Sequence, residues 1–230
     1  MRLRAPIVLA FTTMRFSLPA ATESLENVLD RMDRAAASFK TLSADVKSVQ
    51  HTAVINEDNT DIGRMLLKRS KHDMRMLIEL TQLPDLKSIA IQGHKVEIYY
   101  PKRNAVEEYD IGERRELVNQ FLLIGFGTSG KELSSAYNMR LLGSDTVDGQ
   151  ATAHLELVPK SLEVLKNLKK LELWIPEPEG YPIQQKFYLA GGDYKLVTYT
   201  NVKVNPPLTE ADLKLKVPKD AKRVSPQKQS

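Results

Sequence analysis

The chain is 230 residues long, 42% hydrophobic and 27% charged, and it contains no cysteine. That length suits one large or two small globular domains, and the missing cysteine excludes disulfides, thiolate chemistry and cysteine-bound metals. The net charge of +4 resides at the ends: residues 1–20 carry +3 and residues 214–230 carry +5, leaving a body of −4, so no phosphate-tracking basic groove and no nucleic-acid partner are expected.

Arg2 and Arg4 precede the apolar run Ala5–Met14, and small residues follow at Ser17 and Pro19-Ala20-Ala21. This order of basic, apolar and small residues predicts a secretory signal peptide over 1–20. No later run is apolar over a length that spans a bilayer, so the exported protein is expected to be soluble. A single domain over 21–218 and a flexible basic tail over 219–230 complete the expected organisation.

From Thr22 to Lys40, Leu25, Val28, Leu29, Met32, Ala36 and Phe39 fall on one helical face, with Thr22 or Ser24 as cap. The period then changes to two. Strands are expected near 43–55, 60–70, 73–81, 87–92, 95–100 and 105–110, with hairpin signals at Glu57-Asp58-Asn59 and Gln92-Gly93-His94. A helix is expected over Glu113–Ile124, then a glycine-rich break over Gly125–Gly130. Ser129 and Glu132 form a capping-box pair ahead of a short helix ending near Tyr137. Strands resume at 139–143 and 150–158, joined through Asp148-Gly149, and continue at 169–175, 183–189 and 194–204, with a last strand over Leu213–Val217. Consecutive hairpin-joined strands give an antiparallel sheet, and about 11–12 of them must curl. The expected fold class is mainly β with helices (α+β), the helices covering one face of the curl.

Little in the chain argues for catalysis. Gly125-Phe126-Gly127-Thr128-Ser129-Gly130 matches G-x-G-x-x-G, but a dinucleotide site needs a strand before it and a long helix after it, and neither is expected. His51, His72, His94 and His154 have no partners at metal-binding spacing. No serine has a nucleophile elbow, and no carboxylate pair stands out for acid–base work. An enzyme is not expected, nor any cofactor or metal.

The apolar strand positions carry more information. Gly63, Met65, Leu67 and Arg69 share one strand side, so a guanidinium ends a partly apolar row. Met74, Met76, Ile78 and Leu80 alternate with Asp73, Arg75, Leu77 and Glu79. Ile98 with Tyr100, Leu155 with Leu157, Leu171 with Leu173, and Phe187 form further apolar faces. These residues make either an ordinary core or the wall of an apolar cavity, for which the adaptable side chains of Met65, Met74 and Met76 are suited.

The segments Gly63–Arg69, Gln92-Gly93 before Val96–Pro101, Val147–Gln150 before Leu155–Pro159, Leu173–Pro176 before Tyr181–Gln184, and Leu213–Pro218 occur in an order and spacing that resemble the LolA/LolB superfamily of outer-membrane lipoprotein carriers. The resemblance covers most of residues 24–218. It implies an unclosed, strongly curved antiparallel β-barrel with a helical lid. It also implies a periplasmic carrier that holds lipoprotein acyl chains in an apolar hollow and acts as a monomer between an inner-membrane release complex and an outer-membrane acceptor. A sensor or scaffold of the same fold, binding a protein partner or another lipid, is the alternative. The family's lid-bonding arginine corresponds to Arg69, a candidate latch together with the helix over Glu113–Ile124, although Ser70 stands where the family commonly has proline. Without cysteine the chain lacks the lipid anchor of the acceptor branch, which leaves the soluble, LolA-like type.

Overall fold

A computed structural model describes residues 23–69, 74–82, 86–112 and 124–226. The expected signal peptide and nearly all of the expected helix over Glu113–Ile124 lie outside the described residues.

The first helix, α1 (Leu25–Ser38), starts where Ser24 accepts a hydrogen bond from the Asn27 amide at 3.2 Å. Val28 and Met32 are buried on its apolar stripe, one turn apart. Its end is secured by a residue far along the chain. The Asn205 side chain accepts from the amides of Lys40 (2.8 Å) and Thr41 (3.3 Å) and donates to the Ser38 carbonyl (3.0 Å). One amide thus satisfies groups that a helix end leaves unpaired.

The strands are β1 (Thr41–Thr52), β2 (Glu57–Arg69), β3 (Met74–Leu80), β4 (Lys87–Gln92), β5 (Lys95–Tyr100), β6 (Ala105–Asp110), β7 (Tyr137–Val147), β8 (Gln150–Pro159), β9 (Leu168–Pro176), β10 (Gln184–Leu189), β11 (Tyr194–Val204) and β12 (Lys222–Val224). Among the described residues two short α-helices interrupt them, α2 (Gly130–Ala136) and α3 (Leu162–Asn167). All twelve strands form one sheet in the order β12-β6-β5-β4-β3-β2-β1-β11-β10-β9-β8-β7. β1 is the pivot. The chain fans from it through β2 to β6 on one side, and β11 back through β7 lies on the other. The terminal strands β12 and β7 do not pair, so the curved sheet is unclosed. Asp148 (φ 48°) and Gly149 (φ 77°) make the tight β7–β8 turn, as their sequence demands.

Two expectations near the ends of elements are corrected, and one element is new. Leu213–Val217 is not a strand; residues 205–221 run as a strap over the outer face, where Leu208, Leu213 and Leu215 pack on Leu66, Leu77 and Ala90. The residues Lys222–Val224 of the expected flexible tail form β12 instead, and β12 pairs with β6 in parallel, the one departure from an antiparallel ladder. α3 is not expected at all: its six residues are too few for periodicity, and its only local signal is Ser161, which accepts from the Val164 amide at 3.4 Å.

Candidate ligand-binding site on the inner face

The inner face of the sheet is the one covered by α1 and α2. Strand register aligns two apolar rows on its first half: Leu42, Leu67, Met76, Ile91 and Val96, and beside it Ala44, Met65, Ile78, Ile89 and Ile98. Near β1 and β2 these side chains are buried, Leu67 completely and Met65 at 6% exposure. Toward β5 the cover thins, and Ile78, Ile89, Val96 and Ile98 are only half-buried. Tyr100 ends the face with the Arg103 guanidinium 4.0 Å above its ring, and burial, helped by Glu107, pushes its hydroxyl up.

The second half differs. Leu155, Leu157, Leu171 and Leu173 are fully buried in one cluster with Val28 and Met32 of α1 and Leu133 of α2. The residues expected to line a cavity therefore fall into two groups. Met65, Leu67, Met74, Met76 and Ile78 share one cluster, and the four leucines share another. Phe187 touches both, while Ile98 and Tyr100 belong to neither. Lys195 projects from the inner face beside Phe187. Solvent reaches it, yet dense surroundings push its ammonium below the ordinary lysine range, Lys87 adding to the effect and Asp61 opposing it.

Between the halves lies the segment Ile124–Gly127, immediately before α2. Ser129 and Glu132 form the expected capping box at the helix start. Phe126, 2% exposed, is driven into the core and meets the Tyr199 ring edge-on at 4.9 Å, with Tyr181 at 6.3 Å. Gly125 (φ 81°) and Gly127 (φ 78°) flank it, conformations that other residues rarely adopt. A side chain on either glycine would also collide, with Pro182 at position 125 and with Phe39 at position 127.

Polar side chains pin this segment at both ends. Arg69, at the end of β2, donates to the Gly127 carbonyl. On the opposite side Gln185 donates to the Ile124 carbonyl at 2.5 Å and accepts from the Tyr199 hydroxyl at 2.7 Å. Complete burial drives the Tyr199 hydroxyl far above the usual tyrosine range, so it stays a donor. The side of β2 that Arg69 occupies was legible in the strand parity, and its bonding role only in the family resemblance. Phe126, Gln185 and Tyr199 were not legible, although an aromatic residue between two glycines is a local signal for a side chain turned inward on a tight loop. That same glycine pattern makes no dinucleotide site here, because it opens onto a seven-residue helix within an antiparallel sheet.

A cleft of about 350 Å³ opens beside this loop, between α1 and the β9–β10 connection, lined by Arg31, Arg34, Phe39 and Tyr181 among others. Arg31 donates to the Glu179 carbonyl at 3.0 Å and pairs with Glu23. Burial, with Glu179 adding, pushes the Tyr181 hydroxyl up to about 12. Among the described residues no cluster of three or more histidine or acidic side chains could hold a metal ion. His154 stacks on Trp174 at 4.3 Å, and His51 stacks on Tyr194 at 4.7 Å.

The chain thus forms an unclosed, curved antiparallel sheet with helices on its inner face. No protein-family profile matches the chain, and no curated protein matches it. Solved structures do. An uncharacterized conserved protein from Thermus thermophilus is 18% identical with a TM-score of 0.54, over 88% of this chain and 99% of that one. MucB is 14% identical with a TM-score of 0.50; the match covers 83% of this chain and 62% of MucB. A putative outer membrane lipoprotein-sorting protein domain from Vibrio parahaemolyticus is 15% identical with a TM-score of 0.44, over 82% and 95% of the two chains. At these identities the likeness is one of fold. No described helix is long and apolar enough to cross a membrane.

Proposed function

We propose that the protein is an exported, periplasmic carrier that binds the acyl chains of lipoproteins, or of another lipid, against its inner face and helps deliver lipoproteins to the outer membrane. The observation that carries this reading is the apolar inner face running on past the part that α1 and α2 fill, where Ile78, Ile89, Val96 and Ile98 are half-buried. Each buried methylene contributes about 0.8 kcal/mol, so a long acyl chain gains on the order of 10 kcal/mol gross. Binding of that strength needs a release mechanism. Arg69 supplies it as a latch: its bond to Gly127 ties the strand end to the loop, and the tied and untied forms differ in ligand retention. The protein acts by binding and release rather than by catalysis.

Native mass spectrometry of the purified full chain tests the reading. Co-purifying lipid, or one-to-one uptake of an added long-chain acyl ligand, is expected. Protein that neither carries nor takes up any acyl ligand would refute it. A second reading, a scaffold that binds a protein partner on the same fold, is favoured by the inner face around Leu155 and Leu173 being filled by the protein's own side chains. MucB, similar in fold, is itself solved in complex with MucA.

A further inference from the structure

We infer that Phe126 is a built-in plug that occupies the apolar ligand's place on the inner face, so that binding requires the segment Ile124–Gly127 to swing out. The inference rests on the carrier reading and names the element that gates it. Phe126 comes from no strand or helix; it is delivered by a loop into the cluster that holds Leu67, Met76 and Ile91. Core positions of a β fold are ordinarily filled from the sheet and its covering helices. Here one of the largest fully buried side chains is supplied by a turn.

The geometry of the turn fits a reversible element. Gly125 and Gly127 sit at positive φ on either side of the ring, so the backbone can reorient about Phe126 at low cost. What fixes the plug is the burial of Phe126 itself and of Ile124 in the neighbouring cluster, together with two polar bonds, Arg69 on Gly127 and Gln185 on Ile124. Neither bond involves the aromatic ring, whose neighbours Tyr199 and Tyr181 offer flat apolar surface to any chain that replaces it. The Tyr199 hydroxyl bonds to Gln185, so it would stay paired when the plug leaves. The half-buried row ending at Ile98 continues the same cluster outward, which gives an acyl chain apolar surface on which to lie.

A plug that competes with ligand lowers apparent affinity by the fraction of molecules in which it is out. Shrinking the plug therefore raises affinity, whereas removing a mere core residue leaves long-chain binding unchanged or damages it. The experiment uses the full chain and a fluorescent sixteen-carbon fatty acid as probe, titrated into wild type, Phe126→Leu and Phe126→Ala. Phe126→Leu serves as the milder variant should alanine unfold the protein. Affinity is expected to rise in the order phenylalanine, leucine, alanine, by roughly tenfold across the series given the apolar area released. Hydrogen exchange of the probe-loaded wild type supplies a second readout. Peptides spanning 124–127 are expected to lose protection while the β2–β4 strands gain it. Probe binding by wild type with equal or weaker binding by both variants, and unchanged exchange at 124–127, overturns the plug and leaves the carrier reading standing. No binding by wild type or by either variant overturns both.

Discussion

The two halves of the inner face have the same backbone architecture and different completion. On β8 and β9, Leu155, Leu157, Leu171 and Leu173 meet Val28, Met32, Ile124 and Leu133, and only marginal residues such as Met139 and Leu141 stay partly buried. From β3 to β5, the same kind of alternating apolar row ends half-buried at Ile78, Ile89 and Ile98, and a loop phenylalanine supplies part of the filling. Alternation along a strand dictates that a face be covered; it does not dictate by what. One half is filled chiefly by helix side chains, and the other takes a loop phenylalanine that packing and two polar bonds hold in place.

Truncation separates the halves most strongly. Leu171→Ala should cost about 2–5 kcal/mol of stability, because α1 and α2 cannot collapse into the void. Acyl-probe affinity of the molecules that stay folded should change little. Ile98→Ala should do the reverse: a loss of stability below about 1.5 kcal/mol, since the side chain is already partly in water, with weakened probe binding. Chemical denaturation and probe titration on both variants check this pair, and equal stability losses would erase the distinction.

The pins of the loop come next. Gln185→Leu leaves the Ile124 carbonyl and the Tyr199 hydroxyl buried without their partner, at a cost of about 1–3 kcal/mol. Arg69→Leu removes a bond at a half-buried site and should cost about 1 kcal/mol, while visibly changing how long an acyl probe is retained. Unaltered retention in Arg69→Leu would remove the latch from the scheme.

Much of the sheet was legible because hairpin signals such as Asp148-Gly149 and the alternation in Met74–Leu80 are local. The strand side of Arg69 was local as well, whereas its bond to the Gly127 carbonyl was not written in that parity. What stayed hidden depends on partners far away in sequence. Asn205 finishing α1, the strap of Leu208 and Leu213 on the outer face, and Gln185 holding Ile124 all join residues more than sixty positions apart. The leucines at 155 and 171 read the same whether they wall a cavity or fill a core; the choice is made by Val28 and Met32 arriving on another element.

Acid should also distinguish the halves. On the outer face of the filled half, burial alone would raise the Glu172 carboxyl, but hydrogen bonds from Lys170 (2.7 Å) and Tyr188 (3.0 Å) hold it below the ordinary glutamate value. A carboxyl lowered in the folded state contributes stability that is present above the ordinary range, near pH 4.3, and lost as the pH falls through the folded value. Glu108, more exposed than Glu172 and lowered chiefly by Arg223, should contribute less. Stability measured from pH 7 down to pH 3 should therefore flatten more in Glu172→Gln than in Glu108→Gln.

The smallest effect belongs to the outer edge of the open half. There β12 is a three-residue strand with every residue exposed, so the ladder to β6 alone holds it weakly. Arg223 adds ion pairs to Glu97 at 2.7 Å and Glu108 at 2.5 Å, and its own side chain is about half exposed. Exposed pairs of this kind contribute about 0–1 kcal/mol and weaken with salt. Arg223→Ala should thus leave global stability within about 1 kcal/mol of wild type. Its signature should be local: faster amide exchange in β6, whose outer edge β12 covers, and an effect that shrinks as salt is added. β7, the edge of the filled half, shares no contact with β12 in the sheet order and should exchange as before. Equal acceleration at both edges would mean that β12 stabilises the whole sheet rather than guarding the edge of its open half.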